Sequence, residues 1–242
     1  MLVLSCGQES NYEEHKSFAE TLEFAHKKDE FLSKDIIEFD LLLKFRGKER
    51  LNGTLALTTD SQKGVITEKN GDQLYYDGDQ VFYKYRDSLD SEKIRFKAYT
   101  WSYFFLFPYK LSDPGVIWSD YENKLLNEKS YDVEKLSFEE GTGDSPDDWY
   151  ITYADTATNL VYATAYIVTY TKSQTKAEED PHAIVYEDYK EVDEVPLSHR
   201  WTFWEWRDGV LSNQIGEATL SNFKFLDKEE RSFEVPNGYV EI

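Results

Sequence analysis

The sequence predicts a mainly β fold of the α+β class, with about 10–12 antiparallel strands and two helices. Three observations lead there. Short apolar and aromatic runs recur along most of the chain, separated by Asn-Gly and Asp-Gly pairs that favour tight hairpins. Only two stretches carry helical periodicity. No regular alternation of strand and helix of the kind a parallel sheet requires is present, and no internal repeat.

In chain order, residues 12–28 read as the first helix, because His15, Phe18, Leu22 and Ala25 fall at helical spacing with charges between them. From Asp35 the pattern becomes that of a meander. Strands are expected over 36–45, 51–59, 64–69, 74–76 and 81–85. Asn70-Gly71 and Asp77-Gly78 mark turns between them, and Asn52-Gly53 is either a turn or a bulge within a strand. Residues 90–107 read as the second helix. Ile94, Ala98, Trp101 and Phe105 lie at i, i+4, i+7 and i+11, one face, and Pro108 stops it. Its end, Trp101 to Phe107, is almost wholly apolar, which predicts burial or a cover over a hydrophobic surface. Strands resume over 116–126, 130–138, 149–154, 160–171, 183–192, 199–207 and 210–225, with Asp208-Gly209 turning between the last two. Residues 139–148 and 172–181 read as loops, the second polar and mobile.

With 242 residues the chain is long enough for a substantial core. Its 47 acidic and 27 basic residues give a net charge of −20, which repels phosphate backbones and argues against nucleic acid as a partner. The same charge keeps a monomer soluble. The single cysteine, Cys6, excludes an internal disulfide and a cysteine-based zinc site. Four histidines show no ligand spacing, and neither a nucleophile elbow nor a phosphate loop is present, so no cofactor and no metal is expected. The acidic loop 139–148 has oxygen ligands for Ca²⁺ but not the EF-hand spacing.

Val3, Leu4, Ser5 and Cys6 resemble a lipobox, the processing site of bacterial lipoproteins. The resemblance implies a diacylglyceryl group on the Cys6 thiol, cleavage before it, and attachment to a membrane. Only five residues precede Cys6, fewer than a secretory signal uses, so residues 1–11 read as a shortened signal remnant, lipobox and tether, and 12–242 as one domain.

Three further stretches resemble a family of uncharacterised envelope lipoproteins of Gram-negative bacteria. Residues 105–115, Phe105 to Gly115, are similar to that family's FLPYKLNDPG segment and differ at Phe107 and Ser112. Tyr153 to Leu160 resembles a shared strand-turn-strand. Tyr186 to Leu197 resembles a step common to lipoprotein-carrier domains, with Glu194 where glycine is usual. His26 matches a histidine that closes the family's first helix, with Lys27 in place of glycine. The resemblance implies a LolA/LolB-like fold: an open, strongly curved antiparallel sheet, or half-barrel, with the two helices over its concave side. In the carriers that surface shelters acyl chains.

The expected function is therefore that of a noncatalytic lipoprotein of the bacterial envelope, anchored to the outer membrane through Cys6, that binds an acyl chain or another hydrophobic ligand. Ile94, Ala98, Trp101 and Phe105 on the central helix, with Trp201 and Phe203 on one face of the most aromatic strand, are the candidate ligand-binding residues. Trp204 and Trp206 share the opposite face, and cross-strand packing explains the run equally well. Two alternatives remain at this stage. One is a structural or interaction lipoprotein whose cavity is filled by its own side chains. The other is a glycan hydrolase using paired carboxylates such as Asp147 or Glu205.

Overall fold

The computed structural model describes residues 16–84 and 90–242. Cys6, the tether and the first turn expected from residue 12 lie outside these residues. So does Tyr85, the expected end of the fifth strand.

The first helical segment is split. α1 (Phe18–Ala25) begins with a reciprocal cap, in which the Ser17 amide donates to Glu20 and the Glu20 amide to the Ser17 hydroxyl, at 2.7 and 3.3 Å. His26 closes it. Lys27 then takes a left-handed conformation, φ +57°, and starts α2 (Lys28–Ser33). The position where glycine was expected thus has the geometry that favours glycine.

β1 (Ile36–Phe45), β2 (Lys48–Thr58), β3 (Lys63–Glu68), β4 (Gln73–Asp77) and β5 (Gln80–Lys84) form the expected meander. Asn52 and Gly53 lie inside β2, not in a turn. A side chain at Gly53 would put its Cβ 2.3 Å from the Thr67 carbonyl oxygen on β3, so glycine is what permits this strand spacing. α3 (Ser91–Leu106) follows, capped by the Asp90 carboxylate, and Pro108 falls in a 3₁₀ turn over Phe107–Tyr109 that ends the helical stretch.

The second half contains β6 (Val116–Asp120), the short hairpin β7 (Leu125–Leu126) and β8 (Lys129–Ser130), β9 (Asp132–Phe138), β10 (Tyr150–Ala154) and β11 (Val161–Tyr166). α4 (Gln174–Ala177) is a single turn in the segment read as a polar loop. β12 (His182–Val192), β13 (Val195–Arg207), β14 (Val210–Leu226) and β15 (Tyr239–Glu241) complete the chain.

Thirteen of these strands form one antiparallel sheet, in the order β15-β5-β4-β3-β2-β1-β14-β13-β12-β11-β10-β9-β6. The sheet is not closed, with β15 and β6 as its edges. It exceeds the 10–12 strands expected, because β15 adds itself to the β5 edge by a distant pairing that no local pattern announces. Among the described residues four α-helices replace the two expected. β1 pairs with β14 and thereby joins the two meanders at the centre. Register shifts within β1, β10–β11 and β13–β14 mark bulges, each of which increases local twist.

The largest core lies on one face. It gathers Ile37, Phe39, Leu41 and Leu43 of β1, alternate residues as the strand period requires, with Trp201 and Phe203 of β13 and the buried side of α3. Phe105 of α3 sits 4.3 Å from Phe39 and 6.5 Å from Phe31, ring to ring, and Phe31 stacks on Tyr109 at 3.8 Å. The Tyr186 hydroxyl donates to the Phe104 carbonyl at 3.0 Å, fixing the helix end. On the opposite face are two smaller clusters. One, around Ile151, Ala163 and Trp206, lies under the β7–β8 hairpin and Ala177 of α4. The other, around Ile36, Val65 and Tyr75, is covered by Phe233 and Tyr239.

His26 is wholly buried, and its Nε2 accepts the Val161 amide at 3.0 Å. Burial drives its pKa down to about 3, so it stays neutral in the fold. The unfolded chain, with histidine near 6.5, then binds the extra proton. Stability linked to His26 is full above pH 6.5 and is lost as pH falls toward 3.

The hairpin turn between β12 and β13 holds Asp193 and Glu194 at φ +46° and +70°, so Glu194, like Lys27, carries a side chain in left-handed backbone. Glu194→Gly and Lys27→Gly are each expected to raise unfolding free energy by about 1 kcal/mol, read as a higher urea midpoint. A lower midpoint in both would contradict the strain assigned to these turns.

Candidate functional site

A cavity of about 490 Å³ opens beside α3 on the face that carries the largest core. Four segments build it: one flank of α3, the β4–β5 turn, the loop 139–148 between β9 and β10, and the stretch from Lys110 to Val116. Tyr150 of β10 and Tyr166 of β11 line it as well. Its wall is rich in aromatic rings, among them Tyr76, Tyr99, Tyr103, Phe104, Tyr150 and Tyr166. Gln62, Gly78, Asp79 and Asp144 lie at exposed positions on the rim, whereas Ser102, Phe104, Tyr150 and Tyr166 are buried.

The rim is tied across. Arg95 of α3 makes a bidentate pair with Asp144 at 2.6 and 2.8 Å, and donates to the Asp79 carbonyl at 2.7 Å. The Tyr99 hydroxyl donates to the Gly78 carbonyl at 3.0 Å. Lys110 pairs with Asp113 and donates to the Ser61 hydroxyl at 2.9 Å. Both rim cations are thereby matched by carboxylates.

Asp148 is different. It borders the cavity at 9% exposure, and its Oδ1 accepts the Thr169 amide and hydroxyl, both at 2.7 Å. Among the described residues no lysine or arginine pairs with it. Burial, aided slightly by the Asp147 charge, pushes its pKa up to about 6 against the pull of the Thr169 hydrogen bonds. Burial also raises the hydroxyl pKa values of Tyr103, Tyr150 and Tyr166.

The six residues named from the sequence lie elsewhere on the same face. Ala98, Phe105, Trp201 and Phe203 are buried in the largest core, and Ile94 and Trp101 pack against it. Trp101 is 6.2 Å from Phe203, ring to ring. The structure brings the six together as the seam between helix and sheet, and none of them lines the cavity. Phe105 and Trp201 border only a void of about 10 Å³ beside His26. The cavity-facing stripe is Arg95, Tyr99, Ser102 and Leu106, the same spacing moved by one residue. The missed signal was this mixed stripe, in which a serine and a tyrosine interrupt the apolar run.

The expected faces of the aromatic strand hold: Trp201 and Phe203 enter the largest core, while Trp206, with Trp204 against it, belongs to the opposite cluster. Asp147 is exposed, and Glu205 accepts from Asn213 at 2.7 Å across β13 and β14. Neither lines the cavity. Among the described residues no group of three or more His, Cys, Asp or Glu is arranged to hold a metal ion, and no helix is long and apolar enough to cross a membrane.

The sequence from residue 44 to 198 matches the profile of a family of unknown function, DUF6503. The chain belongs to that family. Among curated proteins the search finds no match to this DUF6503 chain. Solved structures resemble it in fold. A LolA superfamily protein from Nitrosomonas europaea aligns over 85% of this chain and 94% of its own, at 9% identity and a TM-score of 0.54. A domain assigned to outer membrane lipoprotein sorting, from Vibrio parahaemolyticus, aligns over 88% and 97%, at 10% identity and a TM-score of 0.51. The DUF6503 chain thus has a LolA-like fold, as the sequence resemblance implied.

Asp148 carries a stability signature. Between pH 3.8, its ordinary value, and about 6, the folded state holds a proton that the unfolded state releases. Its ionisation therefore weakens the fold as pH rises through that window, by at most about 3 kcal/mol. Relative to Asp148→Asn, the unaltered protein is expected to lose stability between pH 4 and 6.5 in urea melts. A difference that stays flat across this range would contradict the assignment.

Proposed function

We propose that this protein is a noncatalytic lipoprotein of the bacterial envelope that holds an acyl chain, or a ligand of similar apolarity, in the cavity beside α3. The observation that carries the reading is the cavity of about 490 Å³ with mostly apolar walls rich in aromatic rings. Binding pockets for small molecules occupy roughly 300–1,000 Å³ and are mostly apolar. Each methylene moved from water into such a wall contributes about 0.8 kcal/mol, so even a short chain binds usefully. In this reading residues 12–242 act as one half-barrel, monomeric domain, with the helices on the concave side of a curved sheet. The six seam residues seat α3, and the adjacent stripe touches the ligand. The fold of the lipoprotein-sorting neighbour is compatible with such a role.

Cys6 would carry diacylglyceryl and further acyl chains, which together hold a protein firmly on a bilayer. Outer-membrane anchoring belongs to this proposal. The self-filled alternative draws support from the seam, where the protein's own rings occupy the space under α3 and leave a void of only about 10 Å³. The open flank favours the binding reading. A glycan hydrolase requires two close carboxylates in a cleft, whereas among the described residues the cavity wall offers a single buried carboxylate, Asp148.

The neutral dye N-phenyl-1-naphthylamine is expected to brighten on mixing with the protein. A Thr100→Trp, Val168→Trp double variant fills the cavity from two sides and is expected to weaken the dye at least tenfold, with little change in Tm. Undiminished binding in that variant would remove the cavity from the proposal. In cells expressing the protein behind a complete signal peptide, radiolabelled palmitate is expected to appear on it and to disappear in Cys6→Ser. Label persisting in Cys6→Ser would refute the anchor.

A further inference from the structure

The aromatic cavity contains one feature that an acyl chain alone does not use. Asp148 is a carboxylate nine-tenths buried, at 9% exposure, in a wall of rings. One oxygen is held by Thr169, and the other, Oδ2, accepts no hydrogen bond from any described residue. Burying a carboxylate without a counter-charge is unfavourable, and proteins ordinarily neutralise such a group or pair it.

The surroundings say which partner would fit. Among the described residues the carboxylates lining the cavity are Asp79, Asp113, Asp144 and Asp148, against the cations Arg95 and Lys110. Arg95 is committed to Asp144, and Lys110 to Asp113. Asp79 lies exposed on the rim, and Asp148 lies within the wall. Among the described residues the interior charge therefore has no cationic match. The rings of Tyr103, Phe104, Tyr150 and Tyr166 line the cavity, and the π face of an aromatic ring attracts cations. The net charge of −20 favours approach of a cation and opposes that of a carboxylate or phosphate.

We propose that the cavity selects a cationic amphiphile, an apolar chain bearing one ammonium group, and that Asp148 receives the ammonium between the tyrosine rings. This rests on the cavity being a binding site for apolar ligands. Asp148 is the specificity-determining residue. Its charge is felt by Tyr103 of α3, Tyr150 of β10 and Tyr166 of β11 and is opposed by Asp147 on its own loop, Thr169 after β11 donates to it, and the Lys110–Asp113 pair also lies on the cavity wall. Burial in this setting pushes the Asp148 pKa up to about 6. A bound ammonium favours its ionised form, so cation binding strengthens as pH rises through that value.

Three ligands of one chain length separate charge from apolarity: dodecyltrimethylammonium, dodecanol and laurate, each below its micelle concentration. Their displacement of N-phenyl-1-naphthylamine is measured at pH 7.5 in about 0.5 M salt, which screens the surface charge but a buried carboxylate much less. The ammonium is expected to bind at least tenfold tighter than the alcohol, and the carboxylate more weakly than both. In Asp148→Asn, which keeps an oxygen for Thr169, the ammonium advantage over dodecanol should shrink to threefold or less. At pH 5 the unaltered protein should show a similarly reduced advantage.

Laurate binding as tightly as the ammonium, or an advantage that survives Asp148→Asn, would overturn this inference and leave the apolar cavity standing. If neither the dye nor dodecanol binds, the cavity reading falls and this inference with it.

Discussion

The structure depends on how α3 is seated. Its apolar stripe, from Ile94 through Ala98 and Trp101 to Phe105, meets Phe39, Phe203 and Phe31 in one aromatic seam. Each ring buries a large area, and edge-on and tilted contacts add specific geometry to that burial. The Tyr186 hydroxyl and the 3₁₀ turn at Pro108 fix the helix end. A helix held this firmly by one stripe presents the adjacent stripe at a constant height above the sheet. Arg95, Tyr99, Ser102 and Leu106 occupy that stripe and line the open space beside it.

Much of the fold was legible because its signals are local. The β4–β5 turn follows from Asp77-Gly78, and α3 follows from its stripe and from Pro108. What escaped is set by distant partners. β15 is three residues long after a polar segment, and only the β5 edge makes it a strand. The break after His26 was hidden because Lys27 replaces the glycine that would have announced it. The short α4 depends on Ala177 being covered over the opposite-face cluster.

The candidate site was half legible for a related reason. Hydrophobic periodicity finds the stripe that wants most to be buried, and on α3 that stripe is used for docking. The flank that lines the cavity mixes Arg95, Tyr99 and Ser102 with Leu106, a signature that hydrophobicity alone ranks lower. Asp148 carried no signal of its own in an acidic loop. Its burial, and the contrast with the exposed Asp147 next to it, comes from Thr169 arriving from beyond β11.

The acidic surface and the aromatic interior therefore have separate tasks in this account: charge keeps the protein dispersed and sorts what approaches, while the ringed flank of α3 supplies the burial. The most direct measurement is a crystal structure of the protein with a chain bearing a terminal bromine, located by anomalous scattering. The account predicts bromine density between α3 and the tyrosines of β10 and β11. Density confined to the opposite face, or a cavity closed by side chains in the crystal, would contradict it.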